Sequence, residues 1–337
     1  MQRRRLGSTE RDVCVIGLGG KGLTGARRGL EPADVQRAVA AAIEVGSELI
    51  DIPGRGDPER MVGAEVRALR ARDRVVVATV AGAAGRKPPP AARIQREVED
   101  SLRALRLDVI PLVQLAAWSD DWLEDSSWPE LRGMLARLIH DGKVMAWGVI
   151  VPDAEIPLRV VAQPWLATLQ IRYSLFDRRA EEKLLPAALA AKVGVIVREP
   201  LARGALAGEI APGSGWLPGD ERVAWTPDQL AVLPEELARL AALVRNTPPA
   251  AGASEGGREL LGGVKRGPDL EQATVAELAL RFAIDHPAIT AAIPGARTLA
   301  HVVANIACAD GRPLPARVRA ALDDRRWGLG WYPDADG

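Results

Sequence analysis

The chain has 337 residues, of which 44 are basic and 44 acidic, so no net field draws it to nucleic acid or to an anionic membrane. Hydrophobic residues make up 47% and charged residues 26%, a balance that buries a large core, and the length suits one α/β barrel with a few insertions. No apolar stretch is long enough for a signal peptide or a membrane span, which predicts a cytoplasmic protein. Cys14 and Cys308, far apart in sequence, suggest neither a disulfide framework nor a metal site.

Short β-branched runs alternate with longer Ala- and Arg-rich amphipathic stretches, the pattern of a parallel sheet covered by helices. Residues 13–17 read as a first strand, and 32–45 as a helix that opens on Pro32 and stops at Gly46. Strand 49–52, helix 58–70, strand 74–80, helix 91–105 and strand 108–115 follow. Helix 128–140 and strand 144–149 come next, then a helix containing 158–162, strand 166–171, helix 179–191 and strand 193–197. The series closes with strand 290–293, a helix through Asn305 and a helix over 315–324. Two Gly/Pro/Ser-rich stretches, 202–226 and 246–267, read as surface loops within a single domain covering 1–337. The first follows the seventh strand, which would bring it to the barrel mouth where such folds keep their active sites.

Several segments in order resemble the aldo-keto reductase family. They are Arg5-Leu6-Gly7 with Val15-Ile16-Gly17-Leu18-Gly19, Asp51 with Glu59 and Gly63, and Gly142-Lys143-Val144 with Gly148-Val149. Gln170 to Ser174, Glu199 to Gly204, and Ile293 to Arg297 with Asn305 complete the set. The resemblance implies a (β/α)8 barrel that transfers a hydride from a nicotinamide to a carbonyl. In that family a tyrosine tuned by lysine, aspartate and histidine protonates the alkoxide, because an ordinary phenol is a poor acid at neutral pH.

By this resemblance the aspartate is Asp51. Arg55-Gly56-Asp57 stands where the tyrosine is expected, Val80 where the lysine is expected, and Ala116-Ala117 where the histidine is expected. Tyr173 and Tyr332 are the chain's two tyrosines. Ile150 and Val151 replace the Ser-Asn pair that grips the nicotinamide, while Gln170 is kept. Leu201, Gly295, Arg297, His301 and Asn305 fall where the family holds the rest of the cofactor, so NADPH is a possible ligand and no cofactor at all is the alternative.

Without a lysine beside it, Asp51 has the makings of a general acid or base, or is a relic held by neighbours. Lys21 and Arg55 are its candidate electrostatic partners, against a plain reading as solvated loop residues. Trp118 and Tyr173, near strand ends, are candidate walls of a substrate pocket, against loop packing. The reading favoured at this stage is a reductase scaffold rebuilt for non-redox acid/base chemistry on a small metabolite, such as dehydration, isomerisation, cyclisation or a lyase step. The alternatives are an NADPH-binding pseudoenzyme or regulatory subunit, and an atypical NADPH-dependent carbonyl oxidoreductase.

Overall fold

The structure, a computed structural model, describes residues 1–20, 32–52, 54–82, 87–151, 157–210, 221–245, 274–296 and 298–324. Strands β1 (Arg3–Arg5) and β2 (Asp12–Cys14) form a separate antiparallel hairpin. Eight parallel strands follow: β3 (Leu18–Gly19), β4 (Leu49–Ile52), β5 (Val76–Ala81), β6 (Leu112–Leu115), β7 (Trp147–Ile150), β8 (Leu166–Arg172), β9 (Gly194–Arg198) and β10 (Ile289–Ile293). Their spatial order is their chain order, the arrangement that right-handed crossovers through helices produce. Backbone bonds close the ring between its ends, with the Gly17 N–H on the Ala292 carbonyl at 2.8 Å and the Gly19 N–H on the Pro294 carbonyl at 3.0 Å.

Helices α1 (Pro32–Glu44), α2 (Asp57–Ala68), α3 (Ala91–Leu105), α4 (Trp128–His140), α5 (Leu158–Val161) and α6 (Leu184–Ala190) sit between successive strands. Helices α7 (Pro227–Arg245) and α8 (Val275–Asp285) lie before β10, and α9 (Leu299–Ala307) and α10 (Ala316–Asp323) after it. Strand alternation sorts the core into two layers. Inside the ring, Leu6, Val13, Leu49, Val76, Ala78 and Ala291 pack together, while a larger cluster fills the space between strands and helices.

The eight-stranded barrel expected from the alternation of elements is present, with three differences. The first ring strand is Leu18–Gly19, whereas Val13 pairs with Arg4 in the hairpin. The helix read over 179–191 splits into a 3₁₀ turn at Arg179–Glu181 and α6. Pro186 accounts for the break, because its ring is tolerated only in the first turn of a helix. Helices α7 and α8 were not anticipated. Within the stretch 202–226, 3₁₀ turns occupy Ala202–Ala207 and Glu221–Ala224, and the stretch 246–267 lies outside the described residues.

Gly63 lets α2 and α3 approach: a β-carbon there would stand 2.2 Å from the Leu105 carbonyl oxygen. Gly63→Ala is therefore expected to lower stability by roughly 1–3 kcal/mol, the usual cost of overpacking, read as an earlier urea midpoint.

Candidate active site

Toward the carboxyl ends of the barrel strands, three polar side chains meet. Asp51 projects from β4, Gln114 from β6 and Gln170 from β8, all of them buried. The Gln170 Nε2 donates to Asp51 Oδ1 at 2.7 Å and the Gln114 Nε2 donates to the same oxygen at 3.0 Å. Gln170 also reaches Gln114 Oε1 at 3.3 Å. Two carboxamides on one carboxyl oxygen fix its plane and offset the cost of burying it.

Around this group lie two ionic clusters. Glu97, from α3, accepts from the Gly82 N–H at 2.6 Å and pairs with Arg55 and Arg93, each at 2.8 Å. Burial alone would push the Glu97 carboxyl up, but Arg93, the Gly82 N–H and Arg55 together hold it below the usual range. On the opposite side Glu199 meets Arg172 at 3.1 Å, Arg203 at 3.2 Å and Arg198 at 3.3 Å. Glu199, Ala202 and Arg203 are all left-handed, so the turn that includes Leu201 is held in a conformation L-residues seldom adopt. The ion pairs around Glu199 account for its persistence.

At the start of α9, Thr298 Oγ1 accepts from the His301 N–H at 3.2 Å and caps the helix. Asn305 reaches the Gly295 carbonyl at 3.5 Å. A β-carbon at Gly295 would meet nothing within 4 Å, so the backbone before this helix N-terminus is open to a close anionic approach. Lys21 and Arg297, expected at the mouth and at the phosphate turn, lie outside the described residues.

Three expectations are corrected. Arg55 is not the partner of Asp51; its guanidinium pairs with Glu97. Trp118 is taken up in packing: it is fully buried, its indole N–H bonds Asp120 at 3.0 Å, and its ring packs on Trp122, Trp128 and Trp165 at 5.1–5.5 Å. Tyr173 faces the helices rather than the mouth. It stacks on Phe282 of α8 at 5.4 Å and donates its hydroxyl to Glu181 at 2.5 Å. Desolvation, then the charge of Glu181, pushes its phenol above the ordinary range. Tyr173→Phe should lower stability by about 0.5–1.5 kcal/mol while leaving turnover unchanged, and a large loss of activity would return this residue to the site.

Sequence reasoning missed Gln114. A lone carboxamide in the apolar run Leu112-Val113-Gln114-Leu115 was the available signal, since a buried amide in a strand requires a partner.

With this geometry in place, comparison with known proteins is decisive for the family. The profile of the aldo/keto reductase family matches residues 15–325. The chain belongs to that family. A similar curated relative is the aldo-keto reductase YhdN of Bacillus subtilis, 30% identical over 219 residues, 62% of this chain and 65% of the relative's length. Among solved structures, the holo form of aldo-keto reductase AKR11C1 from Bacillus halodurans matches with a TM-score of 0.71 at 23% identity, covering 99% of this chain and 97% of its own. An aldo/keto reductase from Klebsiella pneumoniae in complex with NADP and acetate matches at 0.66 and 25% identity over 98% of each chain.

These findings overturn the expectation that this member of the family performs a dehydration, isomerisation or other non-redox step. That reading equated a missing proton donor with missing hydride chemistry. The two are separable, because the hydride comes from the cofactor and the proton from any acid in reach.

Proposed function

We propose that this aldo/keto reductase is an atypical NADPH-dependent carbonyl oxidoreductase acting on small molecules, with Asp51 at the centre of its proton supply. The buried carboxyl of Asp51 at the strand ends, gripped by Gln114 and Gln170, is the observation that carries the reading.

Leu201, Gly295, Arg297, His301 and Asn305 would hold the cofactor's phosphates and adenosine, and Gln170 would border its nicotinamide. The open backbone at Gly295 and the capped N-terminus of α9 suit an anionic group. Bound NADPH supplies the hydride. Asp51 releases a proton to the alkoxide oxygen, directly or through a water it orients, and is reprotonated from solvent; the oxygen gains one proton as the carbonyl carbon gains the hydride. Gln114 and Gln170 keep the carboxyl oriented throughout.

The test is NADPH titration followed by turnover with a panel of small aldehydes, ketones and quinones. Quenching of tryptophan emission with cofactor consumption matched by alcohol formation is expected. Binding without turnover of any carbonyl would favour a pseudoenzyme, and absence of binding at about millimolar cofactor, where even weak sites fill, would overturn the reading.

A further inference from the structure

On the outer face of the barrel, a groove of about 810 Å³ lies between α2 and α3. This is within the size range that small-molecule sites occupy, roughly 300–1,000 Å³. Its floor is made of small side chains, Ala64 and Ala104, and its walls are cationic: Arg55, Arg60, Arg67, Arg103 and Arg106 line it against two carboxylates, Glu59 and Asp100.

Five arginines against two carboxylates leave the lining net positive. Glu59 is buried and committed to the Thr79 hydroxyl at 2.7 Å and to the Gly56 N–H at 3.0 Å. Asp100 is paired with Arg103 across exposed side chains, as Asp57 is with Arg60, and such solvated pairs exchange readily for a better acceptor. Arg67 donates to the Leu105 carbonyl at 2.9 Å, and among the described residues neither it nor Arg106 has a carboxylate partner. Arg106 also occupies the C-cap of α3 with φ 53°, a left-handed position where glycine is favoured, yet a long cationic side chain stands there.

We infer that this groove is a second ligand site, separate from the barrel mouth, for a small phosphate-bearing anion of the size of a diphosphate ester. Planar guanidinium forks recognise phosphate oxygens two at a time, and a cluster converging on one groove fits a di-anion or tri-anion better than a lone carboxylate. The small floor admits the body of the ligand between the helices. Arg55 connects the groove to the mouth, since the same guanidinium lines the groove and pairs with Glu97, whose carboxylate accepts the N–H of Gly82 just after β5.

Calorimetric titration of the full chain with inorganic pyrophosphate at fixed ionic strength, alone and in the presence of NADPH, tests the assignment. One pyrophosphate per chain is expected in both conditions. The double variant Arg67→Ala/Arg106→Ala should weaken it by about 10–100-fold while leaving NADPH binding unaltered. Arg106→Lys, which keeps the charge and removes the fork, should fall between and serves as the check where the double variant folds poorly. Equal pyrophosphate affinity in wild type and variants, complete displacement by NADPH, or no binding at about 10 mM, a concentration that fills even sites of negligible affinity, would each overturn it.

Discussion

Replacing Asp51 by asparagine is expected to reduce the turnover number for carbonyl reduction by about 10²–10⁴-fold, the usual contribution of a positioned acid or base, with NADPH affinity unchanged. The substitution isolates proton chemistry because the asparagine carbonyl can still accept from both Gln170 and Gln114, the two bonds that Oδ1 accepts now. Gln114→Leu should produce a smaller loss, since it removes one of the two donors that orient the carboxyl. Retention of full activity in Asp51→Asn would assign the proton to solvent acting without this side chain.

The second large effect concerns stability. Arg281 of α8 is 3% exposed and bonds Asp310, itself 2% exposed, through two nitrogens at 2.9 and 3.0 Å, and also Glu277 at 2.9 Å. Arg281→Ala should cost roughly 3–5 kcal/mol, because removal of one partner leaves buried carboxylates uncompensated, and a urea midpoint measures it. Arg281→Met, which restores the volume, should recover only the packing part.

The same cluster sets an acid limit. Burial would raise the Asp310 carboxyl, but bonding to Arg281, its charge, and bonding to Arg312 together hold it below the ordinary range. A carboxyl depressed in the folded state stabilises the fold above its unfolded value, and that stabilisation disappears as pH falls through the folded one. Burial moves Glu277 the other way, which softens the effect without reversing it in the window where Asp310 protonates. In Arg281→Met the acid transition should become shallower.

The barrel was legible because its signal is repeated. Helices α3 and α4 match their expected bounds at both ends, each having a strong apolar stripe with a clear stop. Helix α8 was not legible, because Leu278 through Ile284 are all buried, Arg281 among them, so the run reads as a nearly continuous apolar stretch. Helix α7 contains Pro234, which reads as a breaker.

At the site, Asp51 was found through the motif around it and Gln170 was read only as a nicotinamide residue, while Gln114, a polar residue on an apolar strand, was missed. Trp118 and Tyr173 were misjudged from their position alone. Gln170 and Tyr173 are an odd number of residues apart on one extended segment, so if one faces the barrel axis the other faces the helices. Arg55 was misjudged because its true partner, Glu97, comes from a helix distant in sequence, and nothing local in Arg55-Gly56-Asp57 announces it.

The seam that joins Val15–Gly19 to Ala292–Gly295 has a consequence for biogenesis. During synthesis one lip of that seam emerges first and must wait until the intervening ring strands have followed before the other lip appears. During translation the growing sheet is an open crescent with exposed margins, a form prone to misassociation and to chaperone capture, and the last backbone pairs to form are those that seal it.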